Sequence, residues 1–385
     1  NAAWDLTGND DVDLNASRTY FKSVKVFNES AVGTVLGGIG NTSLKWETTK
    51  RLSWGAEANL VDNRVSVAVN AYKGWTSDML SKQALNYLVG FDSNWSNKGK
   101  IENTGFDVEV QGKVINTRDW QWQLGLSVGH YKNEVTELPI GDFLTEAYGG
   151  NIATMVGHPV GLFYGYQTDG VYSTSAEAAS DGKCIVLRTG EKQYFEAGDM
   201  RFIDQDGNDI INDADRVVIG NPNPDIYGNI TSHLQWRKLA LDVVFNYSLG
   251  NDVYNYQRSL LEAGSRFHNQ TTAMRSRWSS EGQQTDMPRI AYGDPMGNSR
   301  FSDRWIEDGS YLRLKNIRLS YTWDFYSRYL QGITVWGGIQ NLFTLTKYLG
   351  SDPEFSASNN VLLQGIDHGL LPMSRNFSAG VKINL

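Results

Sequence analysis

The chain has 385 residues, 20% of them charged, with a net charge of -8 and a mean hydropathy of -0.41. No stretch approaches the roughly 18 consecutive apolar residues of a membrane helix, and no basic patch marks a nucleic-acid binder. The single cysteine, Cys184, excludes an internal disulfide, while 12% aromatics and 39 Gly against 8 Pro point to an all-β protein.

In chain order, residues 1–43 read as a loop region rich in Asn, Asp, Gly and Ser, without a clear period. Strict alternation then begins. Leu52, Trp54, Ala56, Ala58 and Leu60 interleave with Ser53, Gly55, Glu57 and Asn59, and Val65, Val67, Val69 and Ala71 follow in the same way. Phe106, Val108, Val110 and Val114 oppose Asp107, Glu109, Gln111 and Lys113. Trp120, Trp122, Leu124, Leu126 and Val128 oppose Gln121, Gln123, Gly125, Ser127 and Gly129. Ile230, Leu234 and Trp236, then Leu239 to Tyr247, and finally Phe377 to Leu385 repeat the pattern. A period of two places one apolar and one polar face on each strand. Runs of about nine or more residues match membrane-crossing strands, which need about 9–11, better than soluble strands of about five or six.

The connections alternate in length. Short turns are expected at Asp62-Asn63, Thr117-Arg118, Arg237 and Gln331-Gly332. Long polar connections are expected over 76–98, 134–216, 250–310 and 346–373. Short turns on one rim and long loops on the other are the plan of an outer-membrane barrel, with the short side periplasmic. Trp120, Trp122, Trp236 and Trp323 then fall where an interfacial aromatic girdle belongs. With strand direction counted from the short turns, residues 134–216 must contribute an even number of membrane strands. We take that number as none, which makes the segment a large extracellular insertion. The expected fold is a transmembrane antiparallel β-barrel portion of about nine or ten strands.

Two groups of candidate site residues emerge. In Asp204-Gln-Asp-Gly-Asn-Asp-Ile-Ile-Asn-Asp-Ala-Asp215, the residues Asp204, Asp206, Asn208, Ile210 (through its carbonyl) and Asp215 have the spacing of a loop that holds Ca²⁺ or Mg²⁺. Asp209 stands where such loops carry Gly, and the same composition also suits a solvated turn. The aromatics Trp75, Trp95, Tyr148, Tyr164 and Tyr166 could stack on sugar rings or peptide side chains, or serve as rim anchors. The carboxylates Glu57, Asp107, Glu109 and Asp242 lie on polar strand faces, where a barrel needs water-compatible groups. The five histidines have no metal-ligand spacing. No catalytic site is expected.

Several segments together resemble SusC-like TonB-dependent transporters. Asn41-Thr-Ser-Leu-Lys-Trp-Glu-Thr-Thr49 is similar to an NP-x-LKWE strand start, and Gly99-Lys-Ile-Glu-Asn-Thr-Gly105 to a G-x-IENKG turn. Gly157-His-Pro-Val-Gly-Leu-Phe-Tyr-Gly-Tyr166 resembles G-x-P-x-G-x-FYGY. Trp305-Ile-Glu-Asp-Gly-Ser-Tyr-Leu-Arg-Leu-Lys-Asn316 and Asn341-Leu-Phe-Thr-Leu-Thr-Lys-Tyr348 resemble later family signatures, in the right order. The resemblance implies the C-terminal half, residues 44–385, of a plugged barrel of about 22 strands. It implies a SusD-like surface lipoprotein, coupling to the TonB complex, and import of oligosaccharides or peptides across a Bacteroidetes-type outer membrane. Neither a plug domain nor a TonB box is recognisable in this sequence, so both are expected on an N-terminal half, in the same precursor or a separate chain. A different class of function, a surface β-protein that binds glycan without transporting it, is the alternative.

Overall fold

The alternating segments become strands of one sheet, in a computed structural model that describes residues 2–9, 15–26, 31–85, 87–91, 93–97, 99–138, 141–325, 329–357 and 360–384. Ten strands lie side by side in chain order. They are β1 (Ala2–Asn9), β2 (Glu47–Leu60), β3 (Val65–Ser77), β4 (Lys100–Asn116), β5 (Trp120–Glu137), β6 (Ile226–Trp236), β7 (Leu239–Leu249), β8 (Tyr311–Asp324), β9 (Gly332–Gln340) and β10 (Asn376–Asn384). Every neighbouring pair is antiparallel. A short strand, Thr344–Thr346, extends the edge of β8. The longest strands, β4 and β5, have 17 and 18 residues and project beyond any hydrocarbon layer. Leu385, the last apolar position in the sequence pattern, lies outside the described residues.

The register aligns the apolar positions on one face. Ala56 lies opposite Val69, Val69 opposite Val108, and Val108 opposite Val128. That face is open: Trp54 is 55% exposed, Val381 62% and Phe377 73%. A β-sandwich would bury these side chains between two sheets. Here most of the buried apolar residues are in the loops instead, where Phe163 and Trp305 are at most 1% exposed.

Short connections, 61–64, 117–119, 237–238 and 325–331, all join strands on one rim. The last differs from the turn expected at Gln331-Gly332, because Gly332 already pairs with Asp324 as the first residue of β9. The long connections, 10–46, 78–99, 138–225, 250–310 and 341–375, leave from the other rim. Residues 138–225 add no strand to the main sheet, since β5 pairs directly with β6 from Trp120↔Trp236 to Gly129↔Tyr227.

Reading residues 1–43 as a loop region is corrected by the structure. Ala2–Asn9 pairs along its whole length with β2, from Ala2↔Trp54 to Asn9↔Glu47. Tyr20–Val26 and Ala31–Gly38 form a separate hairpin. The Asn, Asp and Gly content lowers intrinsic strand propensity, but pairing against a long neighbour overrides a weak local preference.

The loops condense into a cap with two small cores. Tyr172, Phe195, Met200, Phe202 and Met296 form one. Ile152, Phe163, Tyr254, Phe301, Trp305 and Ile366 form the other, drawing together the 138–225, 250–310 and 341–375 connections.

Candidate ligand site in the loop cap

The second core opens into a cavity of about 330 Å³ lined by Tyr148, Tyr254, Tyr256, Phe301 and Trp305, with Ser259, Arg266, His268 and Gln270 among its polar groups. Tyr148 arrives on a tight hairpin between the strands Phe143–Ala147 and Gly150–Thr154. Both turn residues, Tyr148 and Gly149, have positive φ, 51° and 71°, the backbone of a two-residue hairpin turn that favours Asn or Gly at its first position. A Tyr held there is strained, and its neighbours fix it. Its carbonyl accepts the Tyr254 hydroxyl at 2.9 Å, and its ring stacks on His368, with centroids 5.1 Å apart and 12° between planes.

Tyr254 belongs to the strand Asp252–Asn255, which is hydrogen-bonded to Ile306–Asp308 on one side and Ile366–Asp367 on the other. Burial pushes its phenol up to about 12, so at neutral pH it is a neutral donor. Asn255 caps the helix Tyr256–Leu261 by accepting the Arg258 amide at 2.9 Å, and this directs Tyr256 toward Tyr148, with ring centroids 5.3 Å apart. Trp305 is anchored by its indole N–H to the Arg300 carbonyl at 3.1 Å. A rigid aromatic wall with a few polar groups can hold a sugar ring or an apolar side chain.

The structure separates the five aromatic candidates. Tyr148 is at the cavity. Trp75 is not: it shares the outward face of Val67 and Val69, lies opposite Lys50 and Glu102, and has the Lys73 ammonium 5.4 Å from its ring centroid. Tyr166 is buried in the first core, its ring near the Arg300 guanidinium at 4.9 Å and its hydroxyl bonded to Asp213 at 3.3 Å. Its ring is closed off from the surface. Tyr164 is half-buried opposite Val218, and Trp95 is half-buried on the Leu80–Ala84/Ser93–Asn97 hairpin. Sequence reasoning missed Tyr254, Tyr256 and Phe301, because 250–310 reads as one polar connection. The signal was the aromatic pair in Val253-Tyr-Asn-Tyr256.

Of the five candidate cation ligands, Asp204, Asp206 and Asp215 bring carboxylate oxygens within 4.8 Å of one another. Backbone amides already use part of their capacity. Asp204 accepts from Gly207 at 2.8 Å and Asp209 at 2.7 Å, and Asp215 accepts from Gln205 and Asn212 at 2.8 and 2.7 Å. Asn208 accepts the Ile210 amide with its side-chain oxygen, and the Ile210 carbonyl accepts from the Asn212 side chain. Asp209 does adopt positive φ, 61°, where such loops carry Gly. The three carboxylates suit a hard cation, and the carboxylate oxygens retain lone pairs for one.

Comparison with known proteins places this geometry. The family profile described as TonB dependent receptor-like, beta-barrel matches residues 2–225. The chain is 32% identical, over 99% of its length, to TonB-dependent receptor P3 of Formosa agariphila, and covers 39% of that protein. It is 26% identical over 89% of its length to TonB-dependent receptor SusC of Bacteroides thetaiotaomicron, covering 32% of it. The solved structure of the RagAB peptide importer in its closed-closed state superposes with a TM-score of 0.79 at 24% identity, covering 99% of this chain and 40% of that one. The chain therefore spans well under half the length of the relatives it matches.

Proposed function

The chain belongs to the TonB dependent receptor-like β-barrel family, and we propose that it forms the C-terminal wall and extracellular cap of a TonB-driven importer in a SusC/SusD-type complex of the outer membrane. The observation that carries this reading is the sheet: one apolar face left open to the surroundings over strands of membrane-crossing length, with every long loop on one rim. In lipid that face replaces water with hydrocarbon, and the polar face lines an aqueous interior.

On this reading the cap is extracellular and faces a SusD-like lipoprotein. The plug and the contact with TonB come from the rest of the transporter. The cargo is an oligosaccharide or a peptide, and the Tyr148–Tyr256–Trp305 cavity stacks on one of its rings or apolar side chains. The carboxylates of Asp204, Asp206 and Asp215 take Ca²⁺ or Mg²⁺ and stiffen the cap. A glycan binder that does not transport has no use for a wide apolar belt, which an aqueous protein rarely exposes.

The test is uptake of labelled oligosaccharides and peptides by cells that carry or lack the gene, with and without TonB. Uptake lost in both cases supports an energised importer. Uptake that survives both removals overturns it.

A further inference from the structure

Trp305 lines the aromatic cavity, and Arg304, whose guanidinium carbon lies 4.3 Å from the Trp305 ring centroid, lines a second cavity of about 700 Å³. The second has a different chemistry. Its wall carries Arg258 and Arg304 together with Thr168, Ser276 and Thr285, whose hydroxyls donate to Asp303, the Ala273 carbonyl and the Ser276 carbonyl. Arg258 is neutralised twice, by Glu262 and Glu307, each at 2.9 Å. Asp303 accepts the Thr168 amide and hydroxyl.

Arg304 is different. Among the described residues no carboxylate pairs with it. One terminal nitrogen donates to the Glu262 carbonyl at 3.3 Å, and the other, Nη1, is enclosed without any hydrogen-bond partner. Burial, and then the neighbouring Arg258, push the guanidinium down to about 10. Glu262 and Asp294 favour its charge only from a distance, and an enclosed cation with no carboxylate in contact is costly. Arginine is also the residue best shaped to take a carboxylate.

We infer that this cavity binds a carboxylate of the ligand, with Arg304 as its countercharge. The inference deepens the importer reading by giving the cargo an acidic group. It rests on that reading only for the word cargo, because binding is measured on purified protein. Asp286 and Asp303, also on the wall, are the competing anions.

The experiment is calorimetric titration of the purified full-length transporter with its partner, using trigalacturonate, neutral maltotriose, tetraalanine and tetraalanine amide. At least one carboxylated probe should bind about tenfold more tightly than its neutral counterpart. R304M should abolish that difference, R304K should retain part of it, and D286N should strengthen binding. Preference for trigalacturonate identifies an acidic sugar as the source, and preference for free tetraalanine identifies a peptide terminus. If R304M does not form a heat-modifiable barrel, R304Q, which keeps hydrogen-bond donors and removes the charge, should show the same loss of preference. Equal binding of charged and neutral probes, no binding of either carboxylated probe, or carboxylate preference unchanged in R304M or R304Q overturns the inference. TonB-dependent uptake of neutral cargo alone would then leave the importer reading standing.

Discussion

Trp120 lies directly across the strand pair from Trp236, their ring centroids 5.7 Å apart and their planes inclined by 25°. Both stand beside short turns: Trp120 begins β5 after 117–119, and Trp236 ends β6 before 237–238. Their amphipathic rings are thus placed at the boundary between the apolar belt and the short-turn rim. A stacked pair of this kind contributes about 0.5–1.5 kcal/mol beyond its area. W120A and W236A should each lower the stability of the full-length protein in lipid vesicles, and a double-mutant cycle should return a coupling in that range. A coupling indistinguishable from zero would mean that the rings act as separate anchors.

The belt itself predicts an asymmetry. Leu126 and Gln123 are on opposite faces of β5, Leu126 between Val110 and Ile230 and Gln123 beside Gln111. L126R places a cation in hydrocarbon and should cost about 2–4 kcal/mol near the midplane. Q123R, on the polar face, should cost well under half of that. Unfolding in vesicles against urea measures both, and equal losses would sink the assignment of faces.

How far the sequence reveals this fold depends on where each residue sits. Val108, Leu126 and Val243 were legible because lipid on one side and water on the other impose a two-residue period that neighbouring loops cannot alter. Ala2–Asn9 was not, since its composition is that of a loop and only its pairing with Glu47–Trp54 makes it a strand. The site was less legible still. Tyr148 was found because aromatics in loops are conspicuous, but Tyr166 looks the same in sequence and is buried beside Phe202, with ring centroids 5.7 Å apart. Trp305 shares a core with Ile152 and Phe163, more than a hundred residues away, and Arg304 meets Glu262, 42 residues away, which no local pattern encodes.

Asp204 makes the cap sensitive to acid. Burial pushes its carboxyl up, but the amides of Asp209 and Gly207 more than offset this and hold it below the usual carboxylate range. Its folded pKa is below its unfolded one, so its contribution is complete above roughly pH 5 and is lost as the pH falls through the folded value. Hydrogen exchange of the 204–215 segment should therefore be faster in D204N than in wild type at pH 7, and the two should converge once the pH falls below the folded pKa of Asp204. Millimolar Ca²⁺ should slow exchange in wild type and have no effect in D206N. Indifference of the wild type to both Ca²⁺ and Mg²⁺ would remove the cation reading and leave the pH behaviour intact.

The two ends of the sheet carry the last prediction. Among the described residues, Ala2–Asn9 is paired only with β2, and Asn376–Asn384 only with β9. Each strand therefore has one edge whose backbone donors and acceptors lack strand partners. In water such an edge is tolerable, but in hydrocarbon each unsatisfied group costs several kcal/mol. Ten strands are enough in principle to close a barrel, since natural ones begin at about eight. Self-closure would shrink the interior to a space filled by side chains, beneath a cap with cavities of about 330 and 700 Å³. Residues 1–385 expressed alone and added to vesicles should thus give no heat-modifiable, protease-resistant species, whereas co-refolding with the rest of the precursor should restore one. In a Cys184→Ser background, cysteines at Ala3 and Val381 should each cross-link to strands contributed by that remainder. Efficient cross-linking between those two positions within one chain would show that the sheet closes on itself, and the partial-barrel reading would fall.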